Sequence, residues 1–181
     1  MRYALLFYFV RRGGLVSARH TPAQAAEDFF RVMPRAVSPS MLEEYGIEAP
    51  REQAQHITRE LLSLSLFWAR WALRTHMSAR NAELVLDEFR QCVLRNWDTS
   101  LGQVGQDVQR YFDDMQERHL TYDEIIKEGG TPVAVATEAA SIMEQIGAIR
   151  TEDRQRALAL LIDQIPVDEL GELAENIKLI D

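Results

Sequence analysis

The chain has little cysteine and little lysine. Among its 181 residues there is one cysteine, Cys92, and there are two lysines against 18 arginines. One cysteine excludes an intramolecular disulfide and a thiolate-rich metal site, and it fits a reducing compartment. Cys92 falls on the apolar side of a predicted helix, where a small buried side chain is expected. We therefore expect a soluble, cytoplasmic protein.

Motifs for common chemistries are also missing from the sequence. None of the histidines is preceded by a glutamate three positions earlier, as carboxylate di-iron bundles require. The patterns H-E-x-x-H, G-x-S-x-G, G-x-x-x-x-G-K-[ST] and G-x-G-x-x-G do not occur. The sequence therefore predicts no catalytic residue, no metal ligand and no cofactor, and an enzymatic role is disfavoured.

The net charge of −8 is unevenly distributed. Residues 1–100 hold 13 basic and 11 acidic side chains, whereas residues 101–181 hold 7 basic and 17 acidic ones. The resulting charges are +2 and −10. An acidic half repels phosphate backbones, so nucleic-acid binding is disfavoured. A helix-turn-helix near residues 132–165 has a suitable connection, but its second helix begins with acidic residues.

One acidic cluster, residues 113–117 (DDMQE), resembles the D-D-x-x-[DE] magnesium motif of all-α isoprenoid synthases. The resemblance covers five residues, no second acidic motif of that family is present, and the chain is shorter than such catalytic domains. Helical spacing places Asp113, Asp114 and Glu117 on the outer face. We expect a solvated surface there, with Asp114 paired to Arg118 one turn later.

Helix boundaries are well marked. Three Ser/Thr-Pro pairs put a capping hydroxyl before a proline, at Thr21, Ser38 and Thr131. Apolar spacing between such marks is helical, and no sustained alternating pattern occurs after residue 20. We predict an all-α fold: an antiparallel bundle of about six to eight helices around a long central helix, about 50–76. The expected organisation is an N-terminal arm, residues 1–20, and a single helical domain, residues 21–181.

The same pattern predicts the individual helices. Their expected spans are 22–33, 39–45, 50–76, 79–96, a helix capped by residues 98–100, a short turn at 122–128 with a capping box from Thr121, and 132–146, 152–165 and 167–178.

Residues 61–73 (LLSLSLFWARWAL) are apolar around most of the helix. Such a helix is buried in a core, a pocket or a partner. The candidate residues for an apolar interface or pocket are Phe67, Trp68, Trp71 and Met77, because a buried indole needs a partner for its N–H and often lies at an edge. Arg70, within this stretch, either reaches solvent or pairs with a buried carboxylate.

The N-terminal arm combines an apolar run, Tyr3–Val10, with flanking arginines and no acid before Glu27. Eight apolar residues are too few to cross a bilayer, which takes about 20. The candidate arm contacts are Phe7, Phe9, Arg11 and Arg12. Three alternatives remain open for residues 1–19: they pack on the domain, they associate weakly with a membrane surface, or they follow a mis-assigned start and are the tail of a longer membrane segment.

These patterns favour an interaction or regulatory protein of the adaptor type, which acts through an apolar surface or by self-association. The expected partner is another protein or a second copy in a homodimer. The alternative is a small-ligand-binding or enzymatic helical domain with an apolar pocket near Trp68 and Trp71.

Overall fold

A computed structural model describes residues 19–180. Eight α-helices and one short 3₁₀ turn, Thr151–Asp153, make up most of this part of the chain. The helices are α1 (Pro22–Val32), α2 (Pro39–Glu44), α3 (Arg51–His76), α4 (Ala79–Asn96), α5 (Val108–Lys127), α6 (Pro132–Gln145), α7 (Arg154–Gln164) and α8 (Val167–Asn176). The predicted all-α bundle is confirmed.

Helix α3 is the centre of the bundle. Its middle section is buried around most of its circumference, and it contacts α2, α4, α5, α6 and α8. Helix α1 packs mainly on α4, and α6 packs mainly on α7. The apolar stretch 61–73 therefore lies in the central helix against which the surrounding helices pack. This confirms the predicted long central helix.

The hydroxyl–proline pairs begin helices as predicted. Thr21, Ser38 and Thr131 each accept a hydrogen bond from a backbone N–H of the first turn, with proline at the start of the helix. Thr21 and Gln24 also form a reciprocal capping box, at 3.2 and 2.9 Å. Each cap satisfies a helix N–H group that has no partner inside the helix.

The helix predicted directly after residues 98–100 is wrong at its start, because α5 begins only at Val108, capped by Asp107. Residues 97–107 form a loop in which Gly102 and Gly105 have positive φ angles of 63° and 78°. Long-range bonds hold this loop: the buried Gln103 donates to the carbonyl of Gln55 at 3.2 Å. Local apolar spacing could not reveal these bonds.

Two further boundaries differ from the sequence prediction. The capping box expected at Thr121 is absent, because α5 runs through this position without a break to Lys127. The last helix ends at Asn176 rather than 178, and Lys178–Leu179 instead forms a short strand. This strand, β2, pairs in parallel with β1 (Arg19–His20), so Arg19 lies beside Lys178.

No helix within residues 19–180 is long and apolar enough to cross a membrane. Cys92 is buried on α4, as predicted.

Candidate functional site

The candidate residues on α3 separate into two environments. Phe67 is fully buried and packs edge-on against Trp68 and Tyr122, with ring centroids 5.1 and 5.3 Å apart. Trp71, one turn further along, keeps 43% of its surface exposed. Met77 is half-buried where α3 ends. Phe67 and Trp68 are therefore buried neighbours, whereas Trp71 is exposed.

Trp68 and Trp71 line an apolar surface depression, which we name the Trp71 groove. It consists of two adjoining recesses of about 370 and 320 Å³, which share Trp68, Pro132 and Val167 as walls. The remaining lining residues come from α3 and from the helices around it: Leu64, Trp71, Ala72, Ile126, Gly130, Val133, Ala136, Leu161, Ile162, Ile165, Pro166, Asp168 and Glu169. Of the four candidate residues, Trp68 and Trp71 line this groove, whereas Phe67 and Met77 do not.

The groove is apolar with an acidic margin. Its charged lining residues are Asp168 and Glu169, both exposed in the first turn of α8. Val133 and Ile162 on its walls are 53% and 48% exposed. The groove therefore presents apolar surface beside negative charge.

A second depression, which we name the Arg59 cleft, lies where α3 meets α5 and the loop before it. Its volume is about 380 Å³, and most of its lining is polar. The lining residues are His56, Arg59, Glu60, Gln106, Asp107, Arg110, Tyr111, Asp114, Arg118 and Ile146.

Glu60 and Arg118 form an ion pair at the base of this cleft. Their side chains approach to 2.7 Å, and that of Glu60 is only 2% exposed. Burial raises the pKa of Glu60 to about 7, although the Arg118 cation opposes this shift. Glu60 Oε2 and Arg118 Nε have no hydrogen-bond partner within the described part of the chain. Desolvation outweighs the pairing here, as is typical of buried ion pairs.

The sequence predicted that Arg118 pairs with Asp114, but Arg118 pairs with Glu60 instead. Asp113, Asp114 and Glu117 do lie exposed on the outer face of α5, as predicted. Within residues 19–180, no three His, Cys, Asp or Glu side chains are grouped so that they could hold a metal ion.

Arg59 is held by neutral acceptors. Its Nη1 donates to Gln103 Oε1 at 3.0 Å and to Gln106 Oε1 at 3.1 Å, and its Nη2 lies 2.6 Å from His56 Nδ1. Burial, and then the Arg59 cation, lower the pKa of His56. The side chain of His56 therefore contacts Arg59 on the same helix, one turn later.

His119 is buried in the middle of α5. Its Nε2 is 2.8 Å from the carbonyl oxygen of Ser63 on α3. Burial lowers the pKa of His119 to about 4, so the ring is neutral at physiological pH and donates through Nε2. His119 therefore ties α5 to α3 rather than serving as a charged helix cap.

Arg70 pairs with Asp123 on α5 at 2.7 Å, and its guanidinium also lies over the ring of Phe67. Both charged groups are largely buried. The sequence had left open whether Arg70 reaches solvent or finds a carboxylate, and the structure shows the carboxylate.

The candidate arm residues Phe7, Phe9, Arg11 and Arg12 lie outside the described residues.

Sequence reasoning missed the Arg59 cleft. The feature of the sequence that could have indicated this cleft is Glu60, a charged residue directly before the apolar stretch 61–73.

Neither protein-family models, nor curated proteins, nor solved structures provide a match to this chain.

Proposed function

We propose that this protein is a helical protein–protein interaction module that self-associates through the Trp71 groove. The observation that carries the proposal is the exposure of Trp71 beside two apolar recesses. Contiguous exposed apolar surface is typical of interaction sites, and tryptophan is enriched among the residues that contribute most to binding. Val133 and Ile162 extend this surface on either side.

The charge of the groove indicates what binds there. Because its charged lining residues are acidic, an apolar segment flanked by cations is the complementary occupant. The chain contains such a segment, in which Arg2, Arg11 and Arg12 flank the apolar run Tyr3–Val10. The proposed occupant is this segment from a second copy, so that two copies exchange segments about a two-fold axis.

The interface can be tested by sedimentation of the full chain at micromolar concentration. The wild-type protein should be a dimer. Trp71→Ala should weaken the dimer at least about tenfold, as expected for a central aromatic contact. Leu120→Ala is the matched control, because Leu120 is an exposed apolar residue (67%) on α5 and does not line the groove. A monomeric wild type, or equal effects of both variants, would contradict self-association through this groove.

The occupant can be identified separately by photo-crosslinking. A benzoylphenylalanine placed at Phe7 of the full chain should link two chains, and its attachment points should map to groove residues such as Val133 and Ile162. Crosslinks confined to a single chain would show that the segment binds in cis and would overturn the exchange. Attachment elsewhere on the protein would remove this segment as the occupant.

A further inference from the structure

We propose that the Arg59 cleft is a second binding site, independent of the Trp71 groove, for a small soluble oxyanion of the phosphate-monoester class. Arg59 and Arg110 would bind its oxygens.

The first observation in support is that two of the arginines in the cleft do not pair with a carboxylate. Arg118 is used by the buried Glu60, whereas neither Arg59 nor Arg110 has a carboxylate within ion-pair distance among residues 19–180. Of the acidic groups, Asp107 accepts hydrogen bonds from the backbone N–H groups of Gln109 and Arg110 as the cap of α5. Asp107 and Asp114 are the two exposed carboxylates in the lining, and Asp114 is the one that does not cap α5.

The hydrogen-bonding capacity of Arg59 gives the second support. A guanidinium carries five N–H donors, and the contacts to Gln103, Gln106 and His56 occupy three of them. Two donors therefore remain without an acceptor in the described part of the chain. Phosphate and carboxylate oxygens are the acceptors that match a guanidinium best, because two parallel charge-assisted bonds can form.

The position of Arg59 is fixed before any ligand binds. The loop that supplies Gln103 and Gln106 is itself held in place, since Trp97 Nε1 donates to the carbonyl of Gln106 at 2.9 Å and Gln55 donates to that of Gly102 at 2.8 Å. A side chain held in this way loses little conformational freedom on binding, which favours affinity.

The electrostatics of the cleft agree with an anion site. Burial lowers the pKa of Arg59; the Glu60 carboxylate opposes this shift, and the Arg118 cation adds to it. The pKa of His56 is also lowered, first by burial and then by the Arg59 and Arg118 cations. After burial, the Arg118 cation contributes to both shifts, and a bound anion would stabilise the charged forms of both groups. The cleft, at about 380 Å³, is also within the size range of small-molecule sites.

The proposal can be tested by titrating the full chain with inorganic phosphate and following the His56 ring by NMR. Saturable binding should occur at millimolar phosphate or below, and the pKa of His56 should rise in the bound form because an anion stabilises the imidazolium. Arg59→Gln should weaken binding at least about tenfold. No saturable binding, or binding that leaves His56 unperturbed, would overturn the site.

Two further variants keep the test decisive if Arg59→Gln disturbs the fold. Arg110 is exposed, so Arg110→Gln removes one cleft cation with little structural effect, and it should weaken phosphate binding several-fold. Arg150→Gln is the matched control, because it removes one exposed positive charge outside the cleft. Equal effects of Arg110→Gln and Arg150→Gln would show that phosphate responds only to overall charge.

Discussion

Replacing the buried Glu60 by glutamine should change how the stability of this protein depends on pH. The pKa of Glu60 rises from its ordinary value of 4.5 to about 7 on folding, because burial disfavours the carboxylate. Between these two pH values the folded state holds a proton that the unfolded state has released. The stability contributed by that proton is complete below pH 4.5 and is lost as the pH rises through 7.

The magnitude follows from the width of this interval. At about 1.4 kcal/mol for each pH unit, the contribution of Glu60 falls by about 3 kcal/mol between the two values. Glutamine resembles the protonated carboxyl and does not titrate. The stability of Glu60→Gln relative to the wild type should therefore increase by about 3 kcal/mol over this range.

Urea unfolding followed by circular dichroism, at intervals from pH 4.5 to 7.5, measures this difference. Glu117→Gln on the exposed face of α5 is the control for the loss of one negative charge. A difference between Glu60→Gln and wild type that stays constant with pH would refute the reasoning. A difference that falls as the pH rises would also refute the reasoning, because the ionised pair of Glu60 with Arg118 would then be the stabilising form.

Three further predictions concern the helix contacts. Phe67→Ala should cost about 3–5 kcal/mol in urea unfolding because it empties a core position, whereas Trp71→Ala should cost no more than about 1 kcal/mol in the monomer; equal costs would contradict their different burial. A double-mutant cycle on Arg70 and Asp123 should give a coupling free energy of about 1–2 kcal/mol, and a value near zero would show that the pair is screened. Thr131→Ala should cost about 1 kcal/mol through loss of the α6 cap, whereas Thr131→Ser should be nearly neutral.

The sequence predicts helices well in this protein because their signals are local. The hydroxyl and proline that begin α1, α2 and α6 are adjacent in the chain, and apolar residues recur at helical spacing along α3 from Ile57 to Trp71. The start of α5 was missed because Leu101, Val104 and Val108 keep a helical spacing through a loop. That loop depends on bonds to Gln55 and on glycines with positive φ, and apolar periodicity reports neither.

The candidate sites were only partly predictable, for a related reason. Residues 61–73 are apolar on nearly every side, so periodicity could not show which side would remain uncovered. Tertiary packing decides this: Phe67 is buried against Tyr122 of α5, whereas Trp71 is left exposed. Pairing of Glu60 with Arg118 joins residues from two separate helices, and nothing near either position in the sequence identifies its partner.

His119 and Glu60, on α5 and α3, also affect how many protons the protein binds or releases when it folds. His119 loses its proton on folding below pH 6.5, because burial lowers its pKa to about 4, while Glu60 retains one above pH 4.5. Stability due to His119 is complete above pH 6.5 and is lost as the pH falls through 4, the opposite direction to that of Glu60. Between pH 4.5 and 6.5 the two changes cancel, so folding moves one proton from a histidine to a glutamate with almost no net uptake. His119→Gln removes the histidine from this exchange, so the stability of the variant relative to the wild type should fall as the pH rises from 4.5 to 6.5.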